Sequence, residues 1–232
     1  MTRAFNKDCM EAMREFPDNF FDIAFVDPPY GRGESGGRRR DNNVTQNNVS
    51  SLGVKAPFHQ KKHWDSKPPD RVYFDELFRV SKHQIIWGCN YYDYPMPGGR
   101  IVWDKCNDGS DQSDCEIAYC SMISKVKIFR YMWCGMMQGK SIKEGHIQQG
   151  NKKLNEKLIH PTQKPVLLYS WGLITFAQPG MKILDTHLGS GSSRIAADQF
   201  GCDFWGYEID RDYFISQEKR FSDFKAQMVL PI

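Results

Sequence analysis

Two apolar runs that each stop at an aspartate limit the folds open to this chain. One is FFDIAFV at 20–26, followed by Asp27; the other is MKILD at 181–185, ending on Asp185. Both are short and apolar almost throughout, the pattern of strands buried on both faces of a parallel sheet. Helical patterns stand between such runs, at DRVYFDELFRV (70–80), KPVLLYSWGLITFA (164–177) and SSRIAADQF (192–200), the last stopped by Gly201. Further strands read at QIIWG (84–88), RIVWD (100–104), CEIAYCS (115–121) and DFWGYEID (203–210), with a closing helix over 211–224. DCMEAMREF reads as a first short helix, capped by Asp8, with Glu11 completing a capping-box pattern. Strands alternating with helices predict an α/β fold with an open, mostly parallel sheet. A length of 232 residues, 40% of them hydrophobic, suits one such domain over 1–232.

Charge divides the chain unevenly. Residues 32–67 carry eight Lys/Arg against three Asp/Glu, and 125–157 carry eight against two. These segments hold net charges of +5 and +6 in a chain whose total is +3, so the remainder stands at −8. Two basic segments on an acidic body predict a polyanionic partner. Residues 31–67 have almost no apolar periodicity, and so long a segment without pattern predicts a flexible, functional loop. Seven cysteines without a CxxC pair argue for reduced thiols, and neither a disulfide framework nor a metal site is expected. No apolar run reaches the length of a membrane span, and MTRAFNKDCMEAM lacks the apolar stretch of a secretory leader, so a cytoplasmic protein is expected.

The two aspartate-terminated runs lead into different turns. After Asp185 the chain reads THLGSGSSRIAA, in which Gly189 and Gly191 let a ligand approach the backbone closely as a helix opens. The next strand ends in YEID, and a carboxylate there can accept both hydroxyls of a ribose, Glu208 being preferred to Asp210. A Gly-Lys-Ser/Thr ending is missing, which disfavours a triphosphate. Asp27 is followed by Pro28, Pro29 and Tyr30. Proline fixes φ, withholds an N–H, and pushes the residue before it toward extended geometry. The Asp27 carboxylate and the Pro28 carbonyl are thereby presented as two rigid acceptors, which suits an exocyclic amine with its two N–H donors. Tyr30 offers a flat ring for stacking on the base that carries the amine.

DCMEAMREFPDNFFDIAFVDPPY, DELFRV, IVWDK, HPTQKPVLL and ILDTHLGSGSSRIAA, in this order, resemble the DNA amino-methyltransferases of the β group, over most of the chain. The resemblance implies a Rossmann-like sheet of the S-adenosylmethionine (SAM) dependent enzymes, mostly parallel with one antiparallel strand, with the motif order permuted. Asp27, Pro28, Pro29 and Tyr30 become the base-holding motif. Asp185, Gly189 and Gly191 would line the methionine side of SAM, Glu208 would hold the ribose, and Asp8 would sit near the adenine. His160, Thr162 and Lys164 belong to the HPTQKP segment, in which Thr162 and Lys164 would meet the SAM carboxylate. The family usually has Pro-Phe where this chain has Thr186-His187, which bears on cofactor affinity, and His187 is expected to fill the Phe position.

The implied activity is site-specific transfer of the SAM methyl group to N6 of an adenine flipped from double-stranded DNA. Cytosine N4 is the alternative, less favoured because cytosine-N4 enzymes more often carry serine where Asp27 stands. A binding relic without activity is a further alternative, argued against by the intact Asp27–Tyr30 motif. Arg32, Arg38, Arg39, Arg40, Lys61 and Lys62 follow the catalytic motif and are expected on DNA. Residues 124–157 occupy the place of a small target-recognition insert, with recognition of a short sequence or sharing of it with a second subunit. The resemblance leaves room for a homodimer and for a restriction endonuclease partner.

Overall fold

The computed structural model describes residues 1–35, 62–108, 113–134, 137–139 and 155–229. In chain order its elements are β1 (Thr2–Phe5), α1 (Cys9–Met13), β2 (Phe21–Val26), α2 (Arg71–Val80), β3 (Ser81–Trp87), a single 3-10 turn (Cys89–Tyr91), β4 (Gly99–Asp104), β5 (Cys115–Cys120), β6 (Val126–Arg130), β7 (Met132–Cys134), β8 (Met137–Gly139), α3 (Val166–Phe176), β9 (Lys182–Asp185), α4 (Ser192–Phe200), β10 (Asp203–Tyr207) and α5 (Arg211–Val229). One eight-stranded sheet runs β1–β10–β9–β2–β3–β5–β4–β6, and β7 pairs with β8 as a separate hairpin. Within the large sheet β5 alone runs antiparallel to its neighbours, β3 and β4. The expected mostly parallel sheet with one reversed strand is the observed one.

Successive residues of the central strands feed opposite faces. Ile23 and Phe25 of β2, with Ile85 and Trp87 of β3, pack under Leu168 and Leu173 of α3. Ala24, Val26 and Ile86 pack instead with Tyr73, Phe74 and Leu77 of α2. That two-sided burial explains why these strands read as continuous apolar runs. Asp70 caps α2 by accepting the Tyr73 amide at 3.1 Å. Asp8 caps α1, accepting the amides of Met10 and Glu11. Gly172 of α3 faces Phe25 closely, and a Cβ there would lie 2.5 Å from the ring.

Four strands escape the sequence reading. β1 offers only four residues and pairs in parallel with β10 at the sheet edge. β6 lies in the segment read as a target-recognition insert, yet it closes the opposite edge by pairing with β4. Its Val126 and Ile128 are exposed while Phe129 is buried, so it lacks the apolar density of the central strands. Beyond β6 the described part of that segment continues with the β7–β8 pair, and residues 140–154 lie outside the described residues.

The ends of the basic segment 31–67 are tied together. Asp65 is buried, and its carboxylate accepts the amides of Gly31 (2.8 Å) and Glu34 (2.7 Å). Residues 36–61, with Arg38, Arg39, Arg40 and Lys61, lie outside the described residues. Among the described residues no helix is long and apolar enough to cross a membrane. Nor, among them, do three His, Cys, Asp or Glu side chains cluster as they would around a metal ion.

Candidate active site

The strand order places the two aspartate-terminated strands side by side. β9 pairs with β2, Ile183 opposite Ile23 and Leu184 opposite Ala24. From this pair the sheet grows through β10 on one side and β3 on the other, so the carboxyl ends of β9 and β2 meet at a topological switch point. A cavity of about 500 Å³ opens there, within the ~300–1,000 Å³ range of small-molecule sites. Asp8, Asp27, Pro29, His160, Thr162, Lys164, Gly189 and Glu208 all line it.

Its β9 side is a turn held from behind. Asp185 accepts the His187 amide at 3.0 Å and the Ser193 hydroxyl at 2.5 Å. Burial pushes its carboxyl up to about 7. Gly191 takes a left-handed φ of 74° as the N-cap of α4. Asp185 and Gly191, expected to line the cofactor, are not among the residues bordering the cavity; they shape the turn behind those that do. Gly189, with φ 51°, reaches the surface, and its amide donates to Glu208 at 2.8 Å. The other Glu208 oxygen accepts the Asp210 amide at 2.8 Å. Two backbone donors thus fix this carboxylate at the cavity wall, each oxygen keeping a lone pair for a further donor. Asp210 is engaged elsewhere, accepting the amides of Asp212 and Tyr213 at the start of α5 and the Lys62 ammonium at 2.6 Å.

Lys62, expected on DNA, is ion-paired within the chain. Its ammonium lies on Asp210 and on Asp212 (2.8 Å), over the Tyr213 ring, and fastens the end of the basic segment beside Glu208. Trp64, which the sequence reading passed over, lies two residues further on. Its ring lies 5.1 Å from that of His160, which in turn lies 4.2 Å from Tyr213, and all three border the cavity. An aromatic in a polar segment was its only sequence signal. Across the cavity, Asp8 caps α1 with one oxygen, and its second oxygen makes no hydrogen bond within the described residues.

Thr186-His187 forms a buried hydrogen-bonded chain. The hydroxyls of Tyr73 and Thr186 lie 2.7 Å apart, and Thr186 Oγ1 is 2.9 Å from His187 Nδ1. Burial pushes the His187 imidazole down to about 4, so it is neutral near pH 7. Its ring packs edge-on to Tyr73 at 5.5 Å, an aromatic lining rather than a charged one.

The β2 side is more crowded than its sequence suggested. The Tyr30 hydroxyl donates to Asp27 Oδ1 at 2.8 Å, and the Lys164 ammonium donates to Asp27 Oδ2 at 2.5 Å. Burial raises the Asp27 carboxyl above its ordinary range, although Lys164 opposes that shift. The Tyr92 hydroxyl donates to the Pro28 carbonyl at 2.8 Å and fixes its direction. Tyr30 stacks on Tyr91, ring centres 4.9 Å apart. Gly88 makes room for the Tyr30 ring, since a Cβ there would come within 2.1 Å of it. Arg32 donates to the Tyr91 hydroxyl at 2.7 Å with its side chain half exposed, at the rim of this stack.

Lys164, expected at a cofactor carboxylate, lines the cavity with its ammonium on the aspartate that follows β2. Only 4% of its side chain is exposed, and its ammonium also lies 3.0 Å from Glu116 of β5. Glu116 is the residue that sequence reasoning missed most completely. Its carboxylate joins Lys164 and Tyr30 on one oxygen and Lys105 on the other.

Comparison with known proteins gives the family and the fold. The DNA methylase family signature matches residues 54–219, a range that begins after Asp27 and takes in the HPTQKP segment, the Gly-rich turn and Glu208. The type II methyltransferase M.HinfI of Haemophilus influenzae is 23% identical over 94% of this chain and 67% of its own length. The methylase YubD of Escherichia coli K12 is 24% identical over 98% and 93%. Among solved structures, the M1.HpyAVI–SAM complex superposes with a TM-score of 0.56 at 17% identity, over 95% of this chain and all of that one. The cytosine-N4-specific PvuII DNA methyltransferase does so with a TM-score of 0.54 at 12% identity, over 95% and 86%. Both share the Rossmann-like methyltransferase fold. With its family signature spanning most of its length, this chain belongs to the N6/N4 DNA methylase family.

Proposed function

We propose that the protein transfers a methyl group from S-adenosyl-L-methionine to the N6 amine of an adenine flipped out of duplex DNA. One observation carries the reading. A cavity with a nucleoside-type carboxylate, Glu208, at one wall has Asp27 at another, and the Pro28 carbonyl that follows Asp27 is held in a fixed direction by Tyr92. The residues present fit the cofactor. Glu208 offers two oriented oxygens for ribose hydroxyls, Gly189 gives close backbone approach, and Asp8 keeps one oxygen for an adenine amine. When bound, the cofactor supplies a methyl group made electrophilic by its sulfonium.

The rest is the work of this chain's residues. The target amine is unreachable inside a base-paired stack, so the base must leave it. Asp27 and the Pro28 carbonyl each accept one N–H, which directs the nitrogen lone pair toward the cavity. Tyr92 keeps the carbonyl aimed through one lone pair and leaves the other for the substrate. After transfer the nitrogen carries a surplus proton. Asp27, its carboxyl raised by burial, is placed to take that proton.

Adenine is favoured over cytosine by the aspartate at position 27, where cytosine-N4 enzymes more often carry serine. The fold shared with a cytosine-N4-specific enzyme supports N4 as the second reading. The proposal extends to a cytoplasmic enzyme on double-stranded DNA. A second copy of the chain would share recognition, and a restriction endonuclease would be an external partner. The test is incubation of tritiated SAM with unmodified genomic DNA, followed by digestion to nucleosides. Tritium is expected in N6-methyladenine; its appearance in N4-methylcytosine would reverse the base assignment, and DNA without label would sink the activity.

A further inference from the structure

Both oxygens of Asp27 already hold a donor. Tyr30 occupies Oδ1 and Lys164 occupies Oδ2, yet the proposed reaction requires this carboxylate to accept an N–H from the substrate. Each oxygen keeps a lone pair, but its present donors share the carboxylate's charge, so the withdrawal of one of them would strengthen its hold on the arriving amine. Neither can go to bulk water cheaply. The Lys164 side chain is 4% exposed, and a buried ammonium stripped of its counter-ion is strongly destabilising.

Both donors already have a second acceptor, and it is the same atom. Glu116 Oε2 lies 3.0 Å from the Lys164 ammonium and 3.1 Å from the Tyr30 hydroxyl. Its other oxygen is held by Lys105 at 2.5 Å. Glu116 comes from β5, the reversed strand, where it stands opposite Trp103 of β4 and is 19% exposed. Lys105 follows β4 directly. We infer that Glu116 is the positioning residue that uncaps Asp27, receiving the Lys164 ammonium and the Tyr30 hydroxyl when the substrate amine docks.

The charges support this role. Asp27, Glu116, Lys105 and Lys164 form a cluster of two carboxylates and two ammonium groups, so a neutral amine enters without leaving a surplus charge. Although burial works against it, Lys164 and Lys105 hold the Glu116 carboxyl down at about 2, which keeps it an anion throughout. If Asp27 takes the surplus proton after transfer, Glu116 remains as counter-ion to Lys164. Nothing covalent happens at Glu116; it acts through Lys164 and Tyr30.

This inference rests on Asp27 as the acceptor of the substrate amine. Its test compares Glu116→Gln with Glu116→Asp in single-turnover methyl transfer from tritiated SAM to unmodified DNA, alongside SAM affinity and thermal unfolding. Glutamine keeps the shape but cannot balance the ammonium; aspartate keeps the charge but withdraws it by one methylene. Loss of a charge-assisted hydrogen bond predicts that Gln slows transfer by about 10- to 100-fold, with SAM affinity within about twofold of the parent. Aspartate is expected to fall between Gln and the parent. A packing role predicts the reverse order, with isosteric Gln the milder change, and that order overturns the inference, as does a parental rate in Gln. Should Glu116→Gln not fold, an Asp variant as fast as the parent has the same force. Asp27→Asn separates the two levels. If it transfers at the parental rate, the acceptor role of Asp27 fails and the inference with it. If it is inactive while Glu116→Gln is unimpaired, only the inference fails.

Discussion

A carboxylate at the end of a strand announces itself in the sequence, and Glu208 shows how much further the structure takes it. Its choice over Asp210 rested on position in YEID; the reason is now that Asp210 serves α5 and Lys62, while Glu208 is aimed by two backbone amides. Glu208→Ala is expected to weaken SAM binding by about 1.5–3 kcal/mol, the range for hydrogen bonds to a charged group. Calorimetry giving the parental affinity would move the ribose contact away from this residue. Glu116 marks the opposite case. A single glutamate early in a strand has the pattern of a solvent-facing residue. Only the pairing of β5 beside β3 and β4 brings it to Lys164 and Lys105, and no local spacing encodes that. For Lys164 the residue was legible and its partner was not, because its partner lies across the sheet from the helix it precedes.

Elements were legible in proportion to how deeply they are buried. β2, β3 and β9 bury both faces and left continuous apolar runs, whereas the edge strands β1 and β6 left none. The spacing of α3 from the sheet has its own sequence signal in Gly172. A methyl group there would come within 2.5 Å of the Phe25 ring, and Phe25 lies on β2 two residues before Asp27. Gly172→Ala should force helix and strand apart and destabilise the protein by about 1–3 kcal/mol, the usual cost of overpacking, despite alanine's better helix propensity. Denaturant unfolding at unchanged slope with a lower midpoint is the expected result. A variant as stable as the parent would show that Phe25 yields without strain.

Across the whole molecule, charge is the feature that sequence and structure describe together. A body at −8 carries two segments at +5 and +6, and the structure now sorts some of those cations. Lys62 is neutralised within the chain by Asp210 and Asp212, and Arg130 lies 3.1 Å from Asp104. Lys125, just before edge strand β6, and Lys127, on it, are exposed. Arg38, Arg39 and Arg40 fall among the residues outside the description and retain their expectation from sequence. If they meet phosphates, replacing all three with alanine should weaken binding to every duplex alike. It should also make the log–log dependence of affinity on salt shallower by about 0.9 for each phosphate that is no longer neutralised. Lys62→Met should leave that slope as it is, because an internally paired ammonium releases no counter-ion from DNA. Changes in the segment after β6 should alter which sequence is methylated, since contacts to base edges carry that information and phosphate contacts do not. Titration of the three variant sets against a methylatable and a scrambled duplex over a salt series measures all of this. A triple-arginine variant that keeps the parental slope while changing sequence choice would exchange the roles of the two basic segments, and a shallower slope in Lys62→Met would return that lysine to the DNA.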